Sequence, residues 1–136
     1  MTDPRAAPRA DSARAEQIRA SRQKVLAAAR ELFLRRGYYG TTIEAVAQRA
    51  GVSPQTVYNV VGGKAALLKS VYDVALAGDD EPVPMGERPA YGDVAAAPAA
   101  RSSLALYARI GREMLSRARP LVTVIFVRRP PTSCGR

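Results

Sequence analysis

The sequence predicts an all-α protein, and two observations support this fold class. Apolar residues recur three and four positions apart along several segments, which places them on one side of a helix. No segment shows the sustained alternation of apolar and polar residues that is typical of a half-buried strand. We therefore expect three packed helices, a connecting fourth helix and further helical structure in the C-terminal part.

The first helix is predicted from Ser21 onward, and a glycine ends it. Its apolar stripe has the spacing of a single helical face, and Gly37 supplies the stop. The stripe consists of Val25, Ala28, Ala29, Leu32 and Phe33.

Two shorter helices follow, each with its own start and stop signals. Thr41 and Glu44 form a capping-box pattern, and the helix that they start ends at Gly51. Ser53 before Pro54 starts the next helix, because serine accepts hydrogen bonds from free amides and proline needs no amide partner in the first turn. Gly62 and Gly63 end this helix, and the connecting helix is predicted over residues 64–78.

The segments on either side of these helices differ from them in composition. Residues 1–18 are rich in alanine, arginine and proline, which predicts a disordered basic arm; the alternative is an arm that lies along a DNA groove. Residues 79–100 are acidic and rich in proline and glycine, which predicts a long loop. A final amphipathic helix is predicted from about Ser102 to Ala118.

The balance of charges favours a polyanionic partner. The chain has 136 residues and a net charge of +9, from 21 basic and 12 acidic side chains. Such a charge suits nucleic acid or an anionic membrane surface, and it does not choose between them. Because the sequence has no histidine and a single cysteine, Cys134, it cannot assemble the usual zinc sites or an imidazole-activated nucleophile. We expect neither catalytic residues nor a metal or cofactor.

The distribution of apolar residues predicts a cytoplasmic protein that does not associate with a membrane. The longest apolar run, LVTVIFV at residues 121–127, is far shorter than the roughly 20 residues that span a bilayer. The first residues also lack the apolar stretch of a secretory signal.

The two short helices have the spacing of a helix-turn-helix, which defines a predicted domain over residues 19–63. A small residue is needed where two steeply crossing helices meet, and Ala47 supplies it. Gly51 tolerates the positive φ of the turn. The apolar side chain of Val57 is expected to pack between the two helices where they cross. The alternative is an ordinary helical corner without a binding role.

The exposed face of the second short helix is predicted to contact bases. At about 100° per residue, Gln55 and Asn59 lie opposite the valines of the buried face, with Thr56 at the border. Glutamine and asparagine can pair with adenine through two hydrogen bonds in the major groove. A neutral solvated face would have the same composition, so this alternative stays open.

Phosphate contacts are predicted around this helix. The candidates are the hydroxyl groups of Thr41, Thr42, Ser53 and Tyr58 and the ammonium group of Lys64. Tyr58 could instead be partly core, and Lys64 could be an ordinary surface charge.

Residues from Arg22 to Leu68 resemble the DNA-binding domain of tetracycline-repressor-like (TetR family) transcriptional regulators. The resemblance lies in AARELFLRRGYYGTTIEAVAQRAGVSPQTVY and KAALL, and it implies that Tyr58 and Lys64 contact phosphates. It also implies a homodimer on a double-stranded DNA operator and a repressor that an unknown small-molecule effector releases. The family often places histidine and phenylalanine two and three residues after the tyrosine, where this chain has Val60 and Val61.

The C-terminal part is predicted to be a partial regulatory and dimerisation domain over residues 101–136. Within it, Tyr107, Ile110 and Met114 either line an effector pocket or belong to the core. The helical pattern stops abruptly at VRRPPTSCGR, which suggests a truncated or frame-shifted domain; the alternative is a natural short tail. In a truncated domain LVTVIFV would lie against nothing, and the chain would bind DNA weakly and non-specifically without a functional effector pocket.

Overall fold

The computed structural model describes residues 6–127, with the side chains of residues 9–124. Six α-helices and one short 3-10 helix follow each other, and the described residues contain no strand, so the predicted all-α class is confirmed. The helices are α1 (Ala6–Arg36), α2 (Ile43–Ala50), α3 (Pro54–Val60), α4 (Lys64–Ala77), α5 (Pro89–Ala96) and α6 (Ala100–Val127), and the 3-10 helix covers Met85–Glu87.

Helix α1 begins much earlier than the sequence pattern indicated. The expected disordered arm at residues 1–18 is helical from Ala6 onward, and residues 1–5 lie outside the described part. Alanine and arginine are strong helix formers, and Pro8 stands in the first turn, where no amide partner is required. The helix ends as predicted, because Gly37 adopts a φ of 76° and its amide donates to the Phe33 carbonyl at 2.9 Å.

Helices α2 and α3 form the helix-turn-helix corner. Gly51 adopts a φ of 73° at the end of α2, and the Val52 amide donates to the Ala47 carbonyl at 3.0 Å, which closes the turn. The Ser53 hydroxyl accepts from the Thr56 amide at 3.1 Å and so caps α3 as predicted. Val57 is the fully buried residue of α3, and it joins this helix to the core.

One continuous core joins α1, α2, α3, α4 and α6. Its largest fully buried side chains include Phe33, Val46, Leu67 and Leu121, which come from four different helices. Burying side chains of this size stabilises the fold by about 1.5–3 kcal/mol each. The short α3 is therefore stable because it packs on a core that the other helices supply.

The predicted loop at residues 79–100 contains local structure that the sequence pattern did not indicate. The 3-10 helix Met85–Glu87 and helix α5 both lie within it. Arg88 organises the start of this region, since its guanidinium donates to both carboxylate oxygens of Asp79 at 2.8 and 2.9 Å. The ion pair holds the loop against the end of α4, where Arg88 also reaches the Ala77 carbonyl at 3.5 Å.

Helix α6 extends past the predicted end at Ala118 and past Pro120. Proline removes one amide donor, but Pro120 is exposed, where water can satisfy the carbonyl left without a partner. Ala118, Leu121 and Val124 are buried, and Leu121 belongs to the main core. The expectation that LVTVIFV lies against nothing is therefore wrong for Leu121 and Val124, because α6 folds back onto α1 and α4.

The predicted apolar face of α6 is only partly in contact with the rest of the protein. Leu104, Tyr107 and Leu115 are exposed by 75, 62 and 70 %, while Ile110 and Met114 are half-buried. The helical repeat correctly predicted the apolar face of α6. Only the part of this face that packs on α4 and α5 is shielded from solvent.

Candidate nucleic-acid interface

Helix α3 presents an uncharged, hydrogen-bonding face to solvent. Gln55 and Asn59 are exposed, and the Gln55 side-chain amide donates to the Asn59 Oδ1 at 3.0 Å. The two residues are one helical turn apart, opposite the buried Val57. This pairing orients both amides, so that Gln55 offers a carbonyl oxygen and Asn59 offers its amide hydrogens outward.

The first turn of α3 fixes the neighbouring hydroxyl groups. The Ser53 Oγ and the Thr56 Oγ1 lie 2.9 Å apart, and the same Ser53 oxygen caps the helix. Ser53 is exposed and Thr56 is half-buried. Thr56 therefore stands at the border between the exposed face and the core.

The start of α2 differs by one residue from the predicted cap. Thr42 is the N-cap, with its hydroxyl oxygen accepting from the Ala45 amide at 3.1 Å. Thr41 is fully buried, and its hydroxyl donates to the Gly37 carbonyl at 2.8 Å. The predictions that Thr41 caps this helix and contacts a phosphate are therefore wrong, because its side chain points into the protein.

Two tyrosines that the sequence analysis did not single out position Lys64. The Lys64 Nζ lies 4.3 Å from the centre of the Tyr38 ring and 5.8 Å from that of Tyr39, which is the geometry of a cation–π contact. Tyr38 in turn stacks on the buried Phe33 at 6.0 Å between ring centres. The sequence feature that could have indicated this contact is GYYG at residues 37–40, in which two tyrosines lie between two glycines.

The first turns of α1 lie beside α3. Arg14, Gln17 and Ile18 line a shallow cleft together with Thr56 and Asn59. Arg14 is exposed and takes part in no ion pair among the described residues. The early start of α1 thus adds a cation next to the exposed face of α3.

Residues 25–71 match the family model described as bacterial regulatory proteins, tetR family. This segment, about a third of the chain, is therefore similar to the tetR-family regulators. The matched segment runs from α1 into α4 and includes the whole helix-turn-helix, which supports a DNA-binding transcriptional regulator. Neither the curated proteins nor the solved structures contain a significant match.

Resemblance to the tetR family implies that Tyr58 and Lys64 contact phosphates; Tyr58 lies near the C-terminal end of α3, and Lys64 follows that end. Tyr58 is exposed by 53 %, and its ring edge lies next to Gly63, which precedes Lys64. Lys64 is the first residue of α4 and half-buried. The structure therefore brings the two side chains to the same end of α3.

The residues predicted to line an effector pocket are not enclosed together in the structure. Met114 accepts a hydrogen bond from the Tyr91 hydroxyl at 3.6 Å and lines a cleft between α4 and the 3-10 helix. Tyr107 meets Tyr91 edge-on at 6.5 Å but remains exposed, and Ile110 is half-buried beside them. An effector site built from these three residues stays a prediction.

Arg22 connects the end of α3 with the acidic loop at residues 79–100. Its guanidinium donates to the Val60 carbonyl at 3.2 Å and pairs with the Asp80 carboxylate at 2.8 Å. Next to this contact, hydrogen bonds from the Arg88 guanidinium lower the pKa of Asp79 from 3.8 to about 2. The pKa of Arg88 is raised by the same hydrogen bonds.

The described part of the chain has neither a metal-binding cluster nor a membrane-spanning helix. No group of three or more histidine, cysteine, aspartate or glutamate side chains there is arranged to hold a metal ion. No helix there is long and apolar enough to cross a bilayer.

Proposed function

We propose that this protein is a sequence-specific repressor that inserts α3 into the major groove of a double-stranded DNA operator in the cytoplasm. The observation that carries this proposal is the Gln55–Asn59 hydrogen bond on the exposed face of a helix that Val57 anchors to the core. Oriented amide groups on a rigid helix suit the donor and acceptor pattern of base edges. Thr56 contacts the same groove from the border of this face.

Phosphate contacts in this proposal come from groups that surround α3. Thr42, Ser53 and Tyr58 are exposed and carry hydroxyl groups, and the Lys64 ammonium lies at the same end of α3 as Tyr58. The exposed Arg14 lines a cleft together with Asn59 and adds a cation. These contacts set the position of α3 without reading the sequence.

We further propose that the protein acts as a homodimer. Two recognition helices can occupy successive major grooves when they are held roughly 34–36 Å apart, which a single chain with one such helix cannot do. The exposed Leu104, Tyr107 and Leu115 on α6 support this part of the proposal, because a second copy would remove them from water. Binding of a small-molecule effector would then change the spacing of the two helices and release the DNA.

The decisive experiment compares operator and random DNA. A selected operator and random DNA of equal length are titrated with the wild type and with the Gln55→Ala, Asn59→Ala double variant at several salt concentrations. Two lost base contacts of about 1–3 kcal/mol each should remove most of the preference for the operator and leave random DNA binding nearly unchanged. Gln23→Ala, an exposed amide on α1, serves as the control and should behave as the wild type.

The competing function is a DNA-binding module that binds weakly and without sequence preference. In that case the wild type itself would not distinguish the operator from random DNA, and the double variant would change neither affinity. A preference that survives in the double variant would instead show that other residues contact the bases.

A further inference from the structure

A cleft between α1, α4 and α6 lies apart from the surface proposed to bind DNA. Its volume is about 540 Å³, which is within the range of small-molecule sites. Helix α1 contributes Leu26 and Ala27 to its lining, and α4 contributes Val71, Val74 and Ala75. The floor of the cleft is therefore apolar.

The rim of the cleft carries both signs of charge, but most of its carboxylates already have partners. Asp79 accepts two hydrogen bonds from Arg88, and Asp80 is paired with Arg22. Glu81 is exposed and forms no ion pair among the described residues. The acidic side of the rim is thus largely neutralised from outside the cleft.

The cationic side of the rim forms no such hydrogen-bonded pairs, although the charge of Arg117 interacts with that of Asp79 across the rim. Arg30 on α1 and Arg117 on α6 line the cleft, and neither has a hydrogen bond or an ion pair with any described residue. The Arg117 guanidinium packs directly over Gly78, where a Cβ atom would collide with it. This close approach to a glycine holds the cation at the edge of the apolar floor.

We propose that this cleft binds an organic anion with an apolar body, of the aryl carboxylate class. The apolar body would cover Leu26, Val71 and Val74, and the carboxylate would receive hydrogen bonds from Arg30 and Arg117. Guanidinium groups suit this task because they donate to both carboxylate oxygens at once. The regulatory role of such a ligand rests on the proposed repressor function, whereas its binding does not.

The ligand would contact the helix that also supports the recognition helix. Helix α1 contributes Ala27 and Arg30 to the cleft, and one to two turns earlier its Arg22 donates to the last carbonyl of α3. A ligand that binds more tightly to one position of α1 against α4 shifts the protein toward that position.

The test uses the full chain without DNA and 2-naphthoate as the probe. Calorimetric titration should show binding of 2-naphthoate and at least about tenfold weaker binding of the neutral 2-naphthylmethanol, because the alcohol cannot form charge-assisted hydrogen bonds with the two guanidinium groups. Arg30→Gln and Arg117→Gln should each weaken 2-naphthoate binding by about tenfold. Arg112→Gln, an exposed arginine of α6 outside the cleft, is the matched control and should bind as the wild type.

A second variant fills the cleft without removing a charge. Ala27 is exposed at the mouth of the cleft, so Ala27→Leu should fold and should weaken binding of both probes. The proposal is overturned if 2-naphthoate does not bind at millimolar concentration, or if the two arginine variants and Ala27→Leu bind it as the wild type does.

The same ligand then tests the regulatory part separately. If 2-naphthoate lowers operator affinity in the wild type but not in Arg117→Gln, the cleft is an effector site. If 2-naphthoate binds without changing operator affinity, the cleft is a binding site, and the proposal that it regulates DNA binding is wrong. If the chain binds no operator at all, the repressor proposal fails while the calorimetric result is unaffected.

Discussion

Lys64 holds its ammonium group 4.3 Å above the ring of Tyr38 at the end of the recognition helix. We expect Lys64→Ala to weaken binding to operator and to random DNA by about the same factor, because a phosphate contact carries no sequence information. The slope of log affinity against log salt should become shallower by about one unit. Fluorescence anisotropy at four salt concentrations measures both effects.

The contribution of Tyr38 can be separated from that of the charge. Tyr38→Leu should weaken DNA binding less than Lys64→Ala does, since an exposed cation–π contact contributes about 0.5–1 kcal/mol. In a Lys64→Ala background the same change should have no further effect on affinity. A loss that simply adds to that of Lys64→Ala would show that Tyr38 acts independently of the lysine.

Thr41 and Thr42 are adjacent, but they should respond differently to replacement by valine. Thr41→Val removes the buried hydrogen bond to the Gly37 carbonyl and should lower the free energy of unfolding by about 1 kcal/mol. The operator affinity of the folded protein should not change. Urea titration and DNA binding of the same variant measure the two quantities.

Thr42→Val is the matched variant at the exposed position. It should lower the free energy of unfolding by about 1 kcal/mol through loss of the helix cap. It should also weaken DNA binding, which Thr41→Val should not. Equal DNA affinities for the two variants would exclude Thr42 as a phosphate contact.

Gly51 is required for its backbone conformation and not for space. Its φ is 73°, and a Cβ atom there would meet no other atom within 4 Å. Gly51→Ala should therefore lower the free energy of unfolding by about 1–2 kcal/mol, which is the cost of left-handed backbone in a residue with a side chain. Gly63→Ala is the control, because Gly63 has a φ of −75° and its new methyl group would make only ordinary contact with Tyr58.

Arg22 stabilises two segments at once, so its removal should cost more than the loss of its acidic partner. Arg22→Met should lower the free energy of unfolding by about 1–2 kcal/mol, since the Val60 carbonyl and the Asp80 carboxylate both lose a donor. Asp80→Asn removes only the partly exposed ion pair and should cost about 0.2–1 kcal/mol. Equal losses in urea titrations of the two variants would show that the bond to Val60 contributes nothing.

The ion pair between Asp79 and Arg88 gives the stability of the protein a defined dependence on acid pH. Because hydrogen bonds from Arg88 lower the pKa of Asp79 from 3.8 to about 2, the carboxylate form is favoured by folding. The resulting stabilisation is present above pH 3.8 and is lost as the pH falls toward 2. Urea titrations of the wild type and Asp79→Asn should therefore differ at neutral pH and converge near pH 2, and a constant difference across this range would contradict the assignment.

The parts of the fold that the sequence predicted well are those with local signals. Ser53, Pro54 and Gly51 specify the corner between α2 and α3 through capping and backbone conformation, so neighbouring residues were sufficient. The positions of Gln55 and Asn59 followed from the helical repeat once Val57 was assigned to the core. Their roles in DNA binding remain predictions.

The errors arose where distant contacts override a local signal. Helix α6 was predicted to end at about Ala118, but it continues past Pro120, and Leu121 and Val124 are buried in this continuation. Thr41 matches the capping-box pattern, but its side chain is buried and its hydroxyl donates to the Gly37 carbonyl. Thr42 therefore caps α2 instead. The cation–π contact of Lys64 was also missed, because Tyr38 is far from it in sequence and only the fold brings the two together.

Helix α3 supplies a single fully buried side chain to the fold, that of Val57. Mutations at Gln55 and Asn59 therefore meet almost no selection for folding, and a lineage carrying this domain can change these residues while the rest of the sequence stays the same. Under the proposed function, new operator preferences would arise by a few substitutions in one helical turn. Divergence among relatives should then be concentrated at these two positions, with Val57 retained.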